Sequence, residues 1–338
     1  MARFEYGMTF LYSVVLTHLV HSMNRNAVLL LLFVSAFTHV QSQTTSPYQF
    51  LRVNTSARTA GLAEASLAST EDTTYNMLNP AGSWFTPSGR ISATFIKHVA
   101  DISGGTLSYT TDVRNNAKVT FMTSYMSLGS FEGRDSYGNP TGRTLTADAM
   151  SLQALYALQI DSGFHGGIGA SVISSRYPDA QTIAVALNGG IQYHIPNSRW
   201  NAALSVLNLG TQVSRVGSTS EPLPTDVRLG VTHRLRGLPL LFNFSFHHLA
   251  ERNVALFNGF KNFSVGGEFY LGKVIQLRVG YNNTLRAASS FPVSARFAGV
   301  CAGVGVITKK VIVDYAMTNM MSGVMVHRLS IGLDADSF

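Results

Sequence analysis

From Arg90 to the C-terminus, apolar side chains recur at every second position. In TIAVALNGGIQYHI, Ile183, Val185, Leu187, Ile191, Tyr193 and Ile195 share one face, and Ala184, Ala186, Asn188, Gly190, Gln192 and His194 share the other. In LLFNFSFHH, Phe242, Phe244 and Phe246 oppose Asn243, Ser245 and His247. In KVIVDYAM, Val311, Val313, Tyr315 and Met317 oppose Ile312, Asp314 and Ala316. FSVGGEFYL repeats the pattern with Phe263, Val265, Phe269 and Leu271 against Ser264, Gly266, Glu268 and Tyr270. This is the period of a strand and excludes a helix.

About 14 such segments follow one another, near 90–98, 104–112, 117–128, 145–161, 163–176, 180–195, 199–209, 225–235, 239–248, 262–271, 274–284, 294–307, 310–318 and 326–335. Many are longer than the ~5–6 residues of an ordinary globular strand. They match the ~9–11 residues that a tilted strand needs to cross hydrocarbon. The face opposite the apolar one carries Gly, Ala, Ser, Asn and Gln rather than Lys and Glu, which suits a crowded lumen with lipid on the other side. Charged residues make up 13% of the chain and mean hydropathy is +0.14. A soluble domain carries about 25% charge, so part of this surface is covered by something other than water. The expected fold is an all-β transmembrane antiparallel barrel of about 14 strands, with an even count closing the sheet without an edge.

Connections alternate in kind. Asp161-Ser162-Gly163, Leu271-Gly272-Lys273 and Thr308-Lys309-Lys310 read as tight turns. The links 129–144, 210–224, 249–261, 285–293 and 319–325 read as long loops on the other side. Tyr193, Trp200, Phe269, Tyr281 and Tyr315 fall near segment ends, where interfacial aromatic girdles sit.

The N-terminus reads as an export signal. Met23 opens a short basic stretch, Asn24-Arg25-Asn26; Ala27 to Phe37 is apolar, and Val40 and Ser42 precede a cut at Gln43. Met23 is then the expected start, with residues 1–22 an upstream extension, and residues 1–42 are removed. Residues 43–89 form an N-terminal hatch segment and residues 90–338 the barrel.

Within the hatch segment, SARTAGLAEASLASTED (56–72) is rich in alanine and reads as a helix capped by Ser56. Its side chains are too small to bury much surface unless the space is confined, as a lumen is. Asn79-Pro80-Ala81-Gly82 is expected to stop local helix and pass the chain to the first strand.

The net charge of +7 is diffuse, with Lys309-Lys310 its densest pair, so no nucleic-acid groove is expected. Outer-membrane lipid is the surrounding partner. The single cysteine, Cys301, allows no internal disulfide and no cysteine-based metal site. His247 and His248 are adjacent and, on a strand, point to opposite faces. Glu132, Asp135 and Asn139 lack the spacing of an EF-type calcium loop and read as a turn. No nucleophile elbow, zinc-protease motif or phosphate loop occurs. No enzyme activity, metal or cofactor is expected.

The order Ser56-Ala57-Arg58, then Asn79-Pro80-Ala81-Gly82, ahead of about 14 strands resembles the FadL-like outer-membrane barrels, whose hatch carries an Asn-Pro-Ala motif. Phe50-Leu51-Arg52-Val53, His98-Val99-Ala100-Asp101-Ile102, Gly129-Ser130-Phe131-Glu132-Gly133, Gly138-Asn139-Pro140-Thr141-Gly142 and Leu207-Asn208-Leu209-Gly210-Thr211-Gln212 look like the PorQ family of the type IX secretion system. The resemblance implies an outer-membrane protein of a Gram-negative bacterium that holds a PorZ-like surface protein. The sortase PorU and the shuttle barrel PorV would belong to the same attachment complex. Phe338 departs from the barrel pattern, because Leu329, Ile331 and Leu333 are out of phase with it.

Three functions follow. The first is docking, with Phe131, Arg134, Tyr137, Arg215, Phe257 and Phe260 as anchor candidates, since aromatics and arginine dominate hot spots. The second is FadL-like transport of small hydrophobic molecules such as fatty acids, which needs an apolar pocket between hatch and wall and a sideways opening. Gly189-Gly190 and Gly266-Gly267 are candidate wall kinks for it. The third, a secreted soluble sandwich, conflicts with strand length and low charge.

Overall fold

The structure, a computed structural model, describes residues 48–71, 77–99, 101–135, 137–178, 180–194, 196–214, 221–250, 259–289, 297–321 and 324–335. The export signal, Arg215, Phe257 and Phe338 lie outside the described residues.

Fourteen antiparallel strands close into one barrel in which β1 pairs with both β2 and β14. They are β1 (Arg90–Lys97), β2 (Ser103–Arg114), β3 (Ala117–Arg134), β4 (Pro140–Gln159) and β5 (Phe164–Tyr177). Next come β6 (Ala180–His194), β7 (Trp200–Ser214), β8 (Asp226–Arg234), β9 (Leu240–Phe246) and β10 (Phe263–Leu271). The last four are β11 (Ile275–Asn282), β12 (Val300–Ile307), β13 (Val311–Met321) and β14 (Val324–Asp334). Pairing is between sequence neighbours throughout, so every ladder bond is local and only the β1–β14 seam is long-range.

The alternation sorts as its period requires. Ile183, Val185, Leu187 and Ile191 of β6 point outward, while Ala184, Ala186, Asn188 and Gln192 are buried inside. The same split holds in β13, where Val313, Tyr315 and Met317 are outward and Ile312, Asp314 and Ala316 inward. An apolar outer wall around a fully paired backbone is the condition for crossing lipid with strands. Tyr193, Trp200 and Phe269 sit on the outer face at the short-turn end, and Tyr281 lies near the opposite end. Tyr315 lies inside β13 rather than at an end, and its hydroxyl meets Nδ1 of His327 at 2.7 Å.

The lumen is filled by the chain before β1. Ser56 accepts from the Thr59 amide and caps a helix, but this helix spans only Ala57–Gly61. The expected helix over 56–72 therefore breaks after one turn: Ala63 and Glu64 take φ of +55° and +66°, and the chain curls into turns that follow the wall. Asn79-Pro80 begins a helix rather than ending one. Asn79 Oδ1 accepts from the Ala81 amide and caps a 3₁₀ helix, Pro80–Phe85, with proline in the first turn, where its missing N–H costs nothing.

The wall makes room for this segment. A Cβ on Gly190 would fall on Asn79 Oδ1, and one on Gly167 would fall on the Pro80–Ala81 peptide. On the opposite side, Gly266 and Gly280 lie against Leu62 and Ala63. Gly190 and Gly266, named above as kinks, are thus seats for the plug.

Two links expected as long loops are largely strand. β3 and β4 continue through 129–144 as a hairpin, and only residues between Arg134 and Pro140 turn. β13 and β14 meet at the Met321–Val324 pair, so 319–321 and 324–325 are strand. β3 last pairs with β2 at Ser127, and β4 last pairs with β5 at Asp148. Beyond those rungs, among the described residues, the two strands pair only with each other for about seven residues, or about 20 Å at the strand rise.

Replacing Gly190 with valine should unseat Asn79 and cost about 1–3 kcal/mol, as overpacking does. The midpoint of thermal unfolding of the detergent-solubilised barrel should fall, and a Gly259→Ala control should change it less, since a Cβ there meets only Leu249 Cδ2, at 3.8 Å.

Candidate functional site

The plug is held by side chains from most of the wall. Arg58, at the start of the helix, reaches Glu268 of β10 at 2.6 Å, with side-chain exposures of 3% and 0%. Glu268 also accepts from Arg278 Nε at 2.7 Å and from the Tyr270 hydroxyl at 2.9 Å, and Arg278 continues to Asp314 at 2.5 Å and to Gln276. Glu64 accepts from Arg228 of β8 at 2.9 Å, and Arg228 also binds Asp226 at 2.6 Å. Glu71 meets Arg234 at 2.6 Å nearer the solvent.

Backbone groups of the plug are met as well. The Ala57 amide donates to Ser330 Oγ, Arg328 Nε to the Asn54 carbonyl, Ser205 to the Leu78 carbonyl and Lys118 to the Thr86 carbonyl. Gln192 accepts from Asn79 Nδ2 and donates to the Ala68 carbonyl. These bonds explain why polar residues occupy the inner face: a segment without a sheet of its own must find partners for its N–H and C=O groups.

Ser56, Ala57, Arg58, Asn79, Pro80, Ala81 and Gly82 all lie buried within the lumen. The anchor candidates are scattered. Phe131 and Arg134 lie on the projecting hairpin as strand residues, Tyr137 at its tip, and Phe260 before β10, edge-on to Phe246. Phe131, Tyr137 and Phe260 are exposed. The turn at the tip is built by Asp135, whose Oδ1 accepts from the Tyr137 and Asn139 amides at 2.9 and 2.8 Å. Those bonds hold the Asp135 carboxyl below its usual range. Glu132 turns away from this group to Arg134 at 3.5 Å.

His247 and His248 do not point to opposite faces. His248 lies past the end of β9 with φ of +56°, which swings its ring beside that of His247, with Nδ1 atoms 3.4 Å apart. The alternation rule failed there because the strand had already ended.

An apolar layer crosses the lumen at the long-loop end. Tyr48 and Phe50 pack there against Ile96, Met126, Ile173 and Val326, which occupy inward positions of their strands. The signal for it was available in the sequence: bulky apolar residues in the polar phase near strand ends. Below this layer lies a cavity of about 60 Å³ between plug and wall, lined in part by Met77, Leu78, Met122 and Leu207. It adjoins the last β7–β8 pair, Leu207–Asp226. Asn208, with φ of +57°, follows, and among the described residues β7 beyond it pairs with β6 alone. A second cavity, of about 180 Å³, lies beside Arg52, His98, His247 and Arg328.

No family model and no curated protein matches the chain. Solved structures do. A FadL homologue from Pseudomonas aeruginosa aligns over 84% of this chain and 99% of its own, with 11% identity and a TM-score of 0.52. The CymD monoaromatic hydrocarbon channel aligns over 83% and 98%, with 12% identity and a TM-score of 0.55. At these identities the likeness is one of fold, and the fold is that of the FadL-type outer-membrane barrels.

Glu268→Gln would leave Arg58 and Arg278 buried with one charge partner fewer and should cost roughly 3–5 kcal/mol. Glu71→Gln breaks a pair exposed by 44% and 40% and should cost about 0–1 kcal/mol. Urea unfolding of the two variants in detergent separates the values, and equal losses would refute a plug held by its buried pairs.

Proposed function

We propose that the protein is a permanently plugged outer-membrane barrel that serves as a docking base for a surface protein. The observation that carries this reading is the occupied lumen. The plug is fastened by ion pairs on β8 and β10; the space beside Met77 and Leu207 is about 60 Å³, and the one at the long-loop end, about 180 Å³, is lined by Arg52, Arg328 and three histidines. An apolar cavity of about 150 Å³ is what holds a benzene-sized solute. With the space beside Met77 and Leu207 too small for such a solute and the larger one faced by arginines and histidines, the parts best placed to meet another molecule are at the rim. The β3–β4 hairpin is the foremost of them, with Phe131 and Tyr137 exposed on a turn tied down by Asp135. Rigid exposed aromatics on a projecting arm are suited to a partner pocket.

The finer reading rests on the residue resemblance given above. The partner would be a PorZ-like protein of the type IX secretion system, in a complex with PorU and PorV, at the surface of a Gram-negative outer membrane. The hatch residues Ser56 to Arg58 and Asn79 to Gly82 serve to seat the plug in this reading, and Phe131, Arg134, Tyr137, Arg215, Phe257 and Phe260 contact the partner.

A second reading has its own support. One solved neighbour is a monoaromatic hydrocarbon channel. The small cavity is lined partly by methionines and leucines, and it adjoins the place where β7 loses its β8 partner. Methionine is adaptable enough to let such a space widen. Transport of a small hydrophobic molecule would then proceed sideways through the wall.

Pull-down of the tagged protein from outer membranes in mild detergent separates the two. Docking predicts a large surface protein in stoichiometric yield, lost in a Phe131→Ser/Tyr137→Ser variant that still folds. Channel function predicts a barrel that comes alone and a deletion strain with slowed uptake of labelled fatty acid or toluene, and that pair of results would displace docking.

A further inference from the structure

The larger of these two cavities, about 180 Å³, lies at the long-loop end, between the plug, the ends of β9, β11 and β13 and the first halves of β12 and β14. Arg52, Arg328, His98, His247 and His248 line it, against Glu64 as the one carboxylate. That carboxylate is already bound by Arg228, which also holds Asp226. Both of those acids are thus engaged by Arg228.

Arg328 is the cation that this arrangement leaves without an acid in contact. It is buried, with 7% exposure, and its only acceptors are neutral: Nε donates to the Asn54 carbonyl at 2.7 Å and Nη1 to Thr318 Oγ1 at 2.9 Å. Among the described residues it forms no salt bridge and its Nη2 donates to nothing. A guanidinium cannot shed its proton to escape, and a buried cation is expensive when the carboxylate that attracts it, Glu64, is bonded to Arg228 instead. Asn54 adds a second open donor. It is 3% exposed, its Oδ1 accepts from the Ser56 amide, and its Nδ2 is buried with no partner. His98 Nδ1 is likewise buried with no partner.

We propose that this cavity binds a phosphate group. Asn54 Nδ2 of the plug and His98 Nδ1 just past β1, both buried with no partner, and the Arg328 guanidinium of β14, bonded only to neutral acceptors, surround a space several times a water's ~30 Å³. A tetrahedral anion offers oxygens in that many directions, whereas a carboxylate offers two in one plane. Arginine's planar fork suits a phosphate edge. The lining sets asparagine, threonine and histidine beside Val53, Leu285 and Met320. The phosphate would be either free or the headgroup of a lipid entering from the outer rim. This site stands apart from both functions proposed above.

The test is calorimetric titration of the full chain in detergent with inorganic phosphate, with dihexanoyl phosphatidic acid and with octanoate. One site per chain is expected, weakened at least tenfold by Arg328→Gln. Binding of inorganic phosphate identifies the free anion as sufficient, and binding of the phosphatidic acid alone identifies a lipid source. Failure of both phosphates, an unchanged affinity in R328Q, or octanoate binding more tightly than either would overturn the proposal. Should R328Q fail to show the heat-dependent gel shift of a folded barrel, Arg328→Lys and Asn54→Ala replace it. Both should then weaken binding, and phosphate should raise the wild-type unfolding temperature.

Discussion

Hydrocarbon offers no hydrogen bonds, so every N–H and C=O that meets lipid must be paired within the protein. That one constraint determines the closed sheet, the long strands and the outward apolar face. It also creates a second problem. Closing 14 strands encloses a lumen wider than opposing wall side chains can fill, and the chain before β1 fills it. The plug and the wall are therefore complementary parts of one solution. Gly167, Gly190, Gly266 and Gly280 lose their side chains where the plug's backbone comes close, and Ser205, Gln192 and Ser330 supply hydrogen bonds where that backbone is not helical.

The plug's irregular path follows from the same geometry. A long helix would need a straight groove, and the space inside a tilted, twisted barrel gives none. The segment 56–72 accordingly spends one turn as helix and then bends through left-handed residues at Ala63 and Glu64. Bends of that kind carry some conformational cost for non-glycine residues. They are held by the wall: the Glu64 carboxylate is tied to Arg228, and its carbonyl to Ser245.

Most of the barrel was legible in the sequence, because a two-residue period is a direct image of which face meets lipid. The β6 and β10 limits fall within one residue of those read from the alternation. The errors have physical causes. The 129–144 segment reads as a loop because, beyond the wall, the β3–β4 arm no longer has a lipid side and so loses its alternation. The helix over 56–72 was overextended because alanine propensity says nothing about the space available. Asn79-Pro80 is as good a helix start as a stop, and only the contact with Gln192 and Gly190 decides between them. The apolar layer around Phe50 was missed because Ile96, Ile173 and Val326 look like lapses in a polar face when each strand is read alone.

The low charge of the chain, 13%, now has a second meaning. In a water-soluble domain most charges lie outside and contribute little to the fold. Here Arg58, Glu64, Asp226, Arg228, Glu268, Arg278 and Asp314 face inward and join the plug to the wall. Replacing such pairs by apolar residues would often be as stable, but apolar contacts alone do not fix the direction or depth of an irregular segment inside a tube. Charged pairs with paired hydrogen bonds do, because each guanidinium accepts only certain approach angles. The sparse charges therefore select one seating of the plug, and in that arrangement Arg328 is the inward guanidinium with no acid in contact among the described residues, which is why the proposed anion site centres on it.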